Sequence, residues 1–99
     1  MRVVFSDEAK ADLEEIGDHI ARDSPLRALS FTRELRAKAK QIGDMPRAFP
    51  LVPRYEYRNV RRRPYRDYLI FYRIADDGIF VVHILHSARD YEALLFSEE

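Results

Sequence analysis

Two apolar runs, Leu69-Ile70-Phe71-Tyr72 and Ile79-Phe80-Val81-Val82, flank the turn residues Asp76-Asp77-Gly78. Stretches rich in β-branched and aromatic side chains, separated by a short polar turn ending in glycine, specify a β-hairpin with strands at about 67–75 and 79–86. Neither run alternates apolar with polar, as a half-exposed strand would, so both strands need cover on more than one side. The rest of the chain has to supply it.

Arg2-Val3-Val4-Phe5 reads as a short strand, and Ser6 followed by Asp7 and Glu8 starts a helix. The serine hydroxyl caps free amides, and the acids favour the positive end of the helix dipole. Ala9, Leu13, Ile16 and Ile20 form one apolar stripe on a helix that runs to about Asp23. Ser24-Pro25 opens a second helix, with proline at the first helical position where its missing amide loses no bond. Ala28, Phe31, Leu35, Ala39 and Ile42 repeat along it, and Gly43 suits its stop. The two helices make an antiparallel hairpin.

Pro46, Pro50 and Pro53 exclude a helix and most central-strand positions over 44–53, so a loop leads to a strand at about 56–63. The last segment, Ser87 to Phe96, reads as a turn or two of helix with Tyr91, Leu94 and Leu95 as its apolar edge. The predicted fold is α+β: an N-terminal strand and a helical hairpin packed on a mostly antiparallel sheet of about four strands, closed by a short C-terminal helix. Its expected core is Leu13, Ile16, Ile20, Phe31, Leu35, Ile42, Ile70, Tyr72, Val82 and Ile84.

A chain of 99 residues supports one core, so residues 1–99 are expected to form one domain. There is no cysteine, hence no disulfide or thiolate site, and no apolar run long enough to cross a membrane. The opening strand stands where a signal peptide would be, which leads us to expect a cytoplasmic protein. His83 and His86 lie three apart on a strand and cannot easily bind one metal. Ser87 beside His86 has no glycine-rich elbow, and Gly17, Gly43 and Gly78 are isolated, so neither serine catalysis, nor a nucleotide cofactor, nor a metal is expected.

Net charge is zero, but its distribution is uneven. Residues 1–23 hold seven acids against three bases, residues 76–99 six against Arg89 alone, and residues 24–75 hold 13 bases, mostly arginine, against four acids. Either acidic and basic elements pair within the fold or one basic face is kept for a partner. The densest stretch carries Arg54, Arg58, Arg61, Arg62, Arg63, Arg66 and Arg73, interleaved with Tyr55, Tyr57, Tyr65, Tyr68 and Tyr72. Arginine with tyrosine can bind or cleave RNA, by phosphate contact and base stacking, or hold an acidic peptide along the sheet. Taken one at a time, such residues are more often core tyrosines and solvated arginines.

The order of elements, with Ser6 to Ile16, Tyr68-Leu69-Ile70-Phe71-Tyr72-Arg73-Ile74 and Ile84-Leu85-His86-Ser87-Ala88-Arg89-Asp90, resembles the RelE/ParE superfamily of bacterial toxins from type II toxin-antitoxin modules. The resemblance spans nearly the whole chain and implies a cognate antitoxin that wraps the toxin with a flexible segment. It implies one of two activities. RelE-like members cleave messenger RNA on the ribosome with basic residues and often a C-terminal tyrosine, whereas ParE-like members poison DNA gyrase by binding it. Leu69 stands where RelE-like ribonucleases tend to carry arginine, and the His86-to-Asp90 box is more similar to ParE-like sequences, so the gyrase poison is the favoured expectation. If the chain is instead a ribonuclease, Arg89, Tyr91 and Arg73 are the catalytic candidates. A degenerate toxin that only binds antitoxin is the third possibility. Arg58, Arg61, Arg62, Arg63, Arg66 and Arg89 are the expected contacts to antitoxin or target.

Overall fold

The computed structural model describes residues 1–97. Strand β1 (Arg2–Phe5) passes through Ser6 into helix α1 (Asp7–Ala21), and helix α2 (Pro25–Gln41) packs against α1. After the proline loop come strands β2 (Arg61–Tyr65), β3 (Tyr68–Ala75) and β4 (Gly78–His86), then helix α3 (Tyr91–Phe96). Both long helices start as expected. Ser6 Oγ accepts the Ala9 amide at 2.9 Å, and Ser24 Oγ accepts the Arg27 amide at 3.2 Å with Pro25 at the first turn.

The sheet has the order β1-β4-β3-β2, antiparallel except where β1 runs parallel to β4. The hairpin predicted from the apolar runs is the centre of this α+β fold, and its two central strands are buried on both faces. Ile70, Tyr72, Ile79, Val81 and Ile84 meet Leu13, Ile16, Phe31, Leu35 and Ile42 on the helical side. On the other side Leu69, Phe71 and Leu85 meet Val52 and Val60 from the loop and Phe96 from α3. Cover on this side was expected but its source was not, because it comes from irregular chain and a one-and-a-half-turn helix that carry little periodicity.

Several features differ from expectation. The strand predicted from 56 begins only at Arg61: Glu56–Arg58 is a 3₁₀ turn ending at Asn59, whose φ of 60° leaves the extended region. Val82 is the extra residue of a β-bulge, since Phe71 pairs with His83 but Tyr72 pairs with Val81. The bulge reverses the alternation, so Ile84 joins the helical core while Val82 is only partly buried on the opposite side; Ile20 is also only partly buried. Gly43 lies within a 3₁₀ turn, Ile42–Asp44, and its small size serves another purpose than the helix stop. A Cβ there would sit 2.2 Å from the Met1 carbonyl oxygen, and the Met1 ammonium donates to Gly43 O at 2.7 Å. In α3 the buried residue is Phe96, and Leu94 is exposed.

Strand β1 covers β4 only as far as Val81, and α1 side chains complete the edge beyond it. The Ser6 amide donates to Val81 O at 2.9 Å, and the Ser6 hydroxyl donates to Val82 O at 2.8 Å. Asp12 Oδ2 accepts the Ile84 amide at 2.9 Å and lies 2.7 Å from His83 Nδ1. A buried amide deprived of its acceptor loses about 1–3 kcal/mol. Asp12→Ala is therefore expected to destabilise the fold by about 2 kcal/mol and Asp12→Asn, which keeps an acceptor, by less; thermal unfolding of the two variants checks this ordering.

Candidate partner-binding site

In an extended strand successive side chains point to opposite faces, and β2 divides its arginines accordingly. Arg61 and Arg63 face the helices. Arg61 donates to Phe49 O at 2.7 Å, tying the proline loop to the sheet. Arg63 donates to Lys38 O at 2.8 Å and Gln41 Oε1 at 3.3 Å, and its guanidinium lies 4.8 Å from the Phe49 ring centre. It thus caps carbonyls at the negative end of α2. Burial holds the Arg63 guanidinium below its ordinary pKa range.

Arg62 faces the other side and donates to the Tyr91 hydroxyl. Two further arginines reach the same helix. Arg54 places one nitrogen 2.8 and 3.1 Å from the two carboxylate oxygens of Glu92, and the Arg58 guanidinium lies 5.0 Å from the centre of the Phe96 ring. Tyr55 stacks on that ring from 4.2 Å. Arg54, Arg58 and Arg62 therefore hold α3 against the sheet. The four candidates Arg58, Arg61, Arg62 and Arg63 are not brought together on one face, and all four donate to or stack on groups of their own chain. Sequence spacing could not show this, because the partners on α3 lie 29 to 38 residues away.

Of the ribonuclease candidates, Arg89 is set apart from the other two. Arg89 approaches Glu15 of α1 at 3.8 Å, on the helical side. The Tyr91 ring packs 5.0 Å from Phe71 on the opposite face. Arg73 is exposed beside Phe80, on the same face and two positions along β3 from Phe71. Leu69 is 8% exposed and packs under α3.

One grouping escaped the sequence reading, although Arg66, Arg89, Tyr68 and His86 were each singled out there. At the end of the sheet opposite the Asp76 turn, two adjoining cavities of about 540 and 600 Å³ share His19, Tyr68 and His86. Arg22 and Arg89 line the first, Arg27 and Arg66 the second. Arg66 sits in the β2–β3 loop with φ of 54°, a left-handed conformation that most side chains disfavour. His19 gave no local signal of this role, because it joins Tyr68 and His86 only through the packing of α1 on the sheet. Among the described residues no group of three or more histidine, aspartate or glutamate side chains is placed to hold a metal ion, and no helix is long and apolar enough to cross a membrane.

A helical hairpin on one face of a four-stranded sheet, with a short C-terminal helix on the other, is the architecture expected of the small toxins of the RelE/ParE superfamily. Residues 3–91 match the family model described as ParE toxin of type II toxin-antitoxin system, parDE, and the chain belongs to that family. A solved structure of the chromosomal ParDE TA system from P. aeruginosa is similar, with a TM-score of 0.72 over 87% of this chain and 95% of that one; at 20% identity the likeness concerns the fold. None of the curated proteins matches the chain.

The arginine ties to α3 have a measurable consequence. A side-chain hydrogen bond is worth about 1 kcal/mol net, so Arg62→Ala is expected to speed amide hydrogen exchange in α3 by roughly five- to tenfold while leaving α1 unchanged. Arg63→Ala should instead loosen the end of α2.

Proposed function

We propose that this type II toxin arrests growth by binding and poisoning DNA gyrase in the cytoplasm, and that a cognate antitoxin neutralises it. The observation that carries the reading is that Arg89 and Tyr91 are turned to opposite faces of the sheet. Cleaving a phosphodiester needs a proton-transfer group and a charge stabiliser within hydrogen-bond reach of one phosphate. Here Arg89 lies on the helical side, while the Tyr91 hydroxyl, on the other face, already accepts from Arg62. Leu69 fills with hydrocarbon the position where a ribonuclease would bring charge. Membership of the ParE family favours the same side.

For partner contact, Arg66 and Arg89 are the exposed members of the expected set. Arg58, Arg61, Arg62 and Arg63 act indirectly, holding the loop and helices that carry the surface. Leu26 and Leu29, which are 82% and 50% exposed on α2, supply an apolar complement. An antitoxin segment that is acidic and amphipathic fits both features.

Purified toxin is expected to inhibit gyrase supercoiling and to leave ribosome-bound message intact; message cleavage with unaffected gyrase would reverse the assignment. Growth that continues when the toxin is expressed alone would leave only the antitoxin-binding role. Joint substitution of Arg66 and Arg89 by alanine is expected to weaken antitoxin binding by roughly tenfold and to flatten its salt dependence, as loss of exposed charge contacts does.

A further inference from the structure

Tyr68 differs from the other tyrosines whose hydroxyls lie near the sheet. Tyr65 donates to Glu34, Tyr72 donates to Pro46 O and Tyr91 accepts from Arg62. The Tyr68 hydroxyl has no hydrogen-bond partner among the described residues, and the residue is half-buried between the two cavities. Burial, with the nearby Asp67 carboxylate, raises its pKa, so it remains a donor near neutrality. His86 meets its ring edge-on at 5.2 Å. Because His86 Nδ1 accepts the Ala88 amide at 3.0 Å, its remaining ring nitrogen carries the proton and is a second donor.

Arg66 adds charge at the rim in a conformation that asparagine or glycine would adopt more readily. Strain retained at a polar rim is a feature of binding sites. Arg27, on the other wall, is held by Glu34 at 2.8 Å, whereas the Arg66 guanidinium lies 5.7 Å from the Tyr65 ring centre and makes no ion pair among the described residues, so it supplies the available charge there. Ile20 and Phe31 form an apolar wall beside these donors.

From this convergence we infer that the cleft at Tyr68, His86 and Arg66 receives a carboxylate of a protein partner, carried next to a large apolar side chain. Two donors and one cation match a single carboxylate, and the apolar wall takes its neighbour. A single carboxylate has Asp67 beside it in this cleft, whereas a nucleic-acid strand would also run its successive phosphates past Asp12, Glu15 and Asp18 of the adjoining cavity and fits less well. The inference rests on the reading that the toxin acts by binding protein, and names the place and chemistry of one contact.

The test is a titration of the isolated toxin followed by the ring resonances of Tyr68, His86 and His19. The probes are a blocked tripeptide of leucine, glutamate and phenylalanine, its glutamine counterpart, and uridine monophosphate. Saturable shifts with the glutamate peptide are expected, with the glutamine peptide about tenfold weaker, the scale of a hydrogen bond to a charged group. Tyr68→Phe should weaken the glutamate peptide by a similar factor. Arg66→Asn should weaken it too without lowering the melting temperature, since asparagine tolerates the left-handed turn. Equal binding of the two peptides, tighter binding of uridine monophosphate, or unchanged affinity in Arg66→Asn would overturn the inference. A toxin that binds the glutamate peptide here but leaves gyrase active keeps the cleft and loses the target, whereas gyrase inhibition without peptide binding removes the cleft alone.

Discussion

The carboxylate of Asp12 holds the outer edge of β4 beyond the reach of β1. At that point β1 has ended, the bulge at Val82 has turned the strand, and the Ile84 amide would otherwise face a gap. By accepting that amide and lying against His83, Asp12 locks α1 to the sheet at one height and one rotation. The placement of Ile16 and Leu13 in the helical core follows from this lock, and so does the approach of His19, one turn further on, to Tyr68 and His86. A polar contact of this kind contributes little net free energy compared with the apolar burial around it, but it is directional where burial is not. It decides which of several similar packings of helix on sheet is adopted.

The arginines show the same division between amount and direction. Thirteen bases in the middle of the chain suggest a field that would draw in a large polyanion. The pleat of β2 prevents that field from gathering on one face. Arg63 ends α2, Arg61 fastens the loop, and Arg54, Arg58 and Arg62 fasten α3, so most of the stretch serves the fold of its own chain. Guanidinium suits these positions because it can stack on a ring and donate several fixed bonds at once. Small proteins have little hydrocarbon with which to bury a loop and a six-residue helix, and planar cations with aromatic partners provide part of the hold instead.

How much of this could be read beforehand depended on whether the signal was local. Ser6, Ser24-Pro25 and the apolar stripes of α1 and α2 act over a few residues, and they predicted both long helices closely. The unbroken apolar runs about Asp76-Asp77-Gly78 announced the central hairpin and its cover on both faces. The bulge was hidden, because nothing in Val81-Val82-His83 marks an extra residue, and with it went the correct side for Val82. The short parallel strand β1 was recognised as a strand but its partner was not, since parallel pairing leaves no turn in the sequence. At the candidate site the arginines were visible as a composition and their directions were not. Tyr68, His86 and His19 lie on three elements, and only the tertiary packing places them around one cleft.

The bonds that join the first helix to the last strand span 76 residues for Ser6 to Val82 and 72 for Asp12 to Ile84. On a chain made from its N-terminus, α1 and α2 can form early as a hairpin with one apolar face uncovered. Their final partner emerges only with the last quarter of the sequence. Contacts this distant also slow closure, because the loop entropy is lost before the contact is gained. The packing of α1 on the sheet thus waits for β4, and the cleft at His19, Tyr68 and His86 comes into being only once that strand has been made. That interval, between synthesis and shape, is set by one serine and one aspartate near the beginning waiting for two backbone groups near the end.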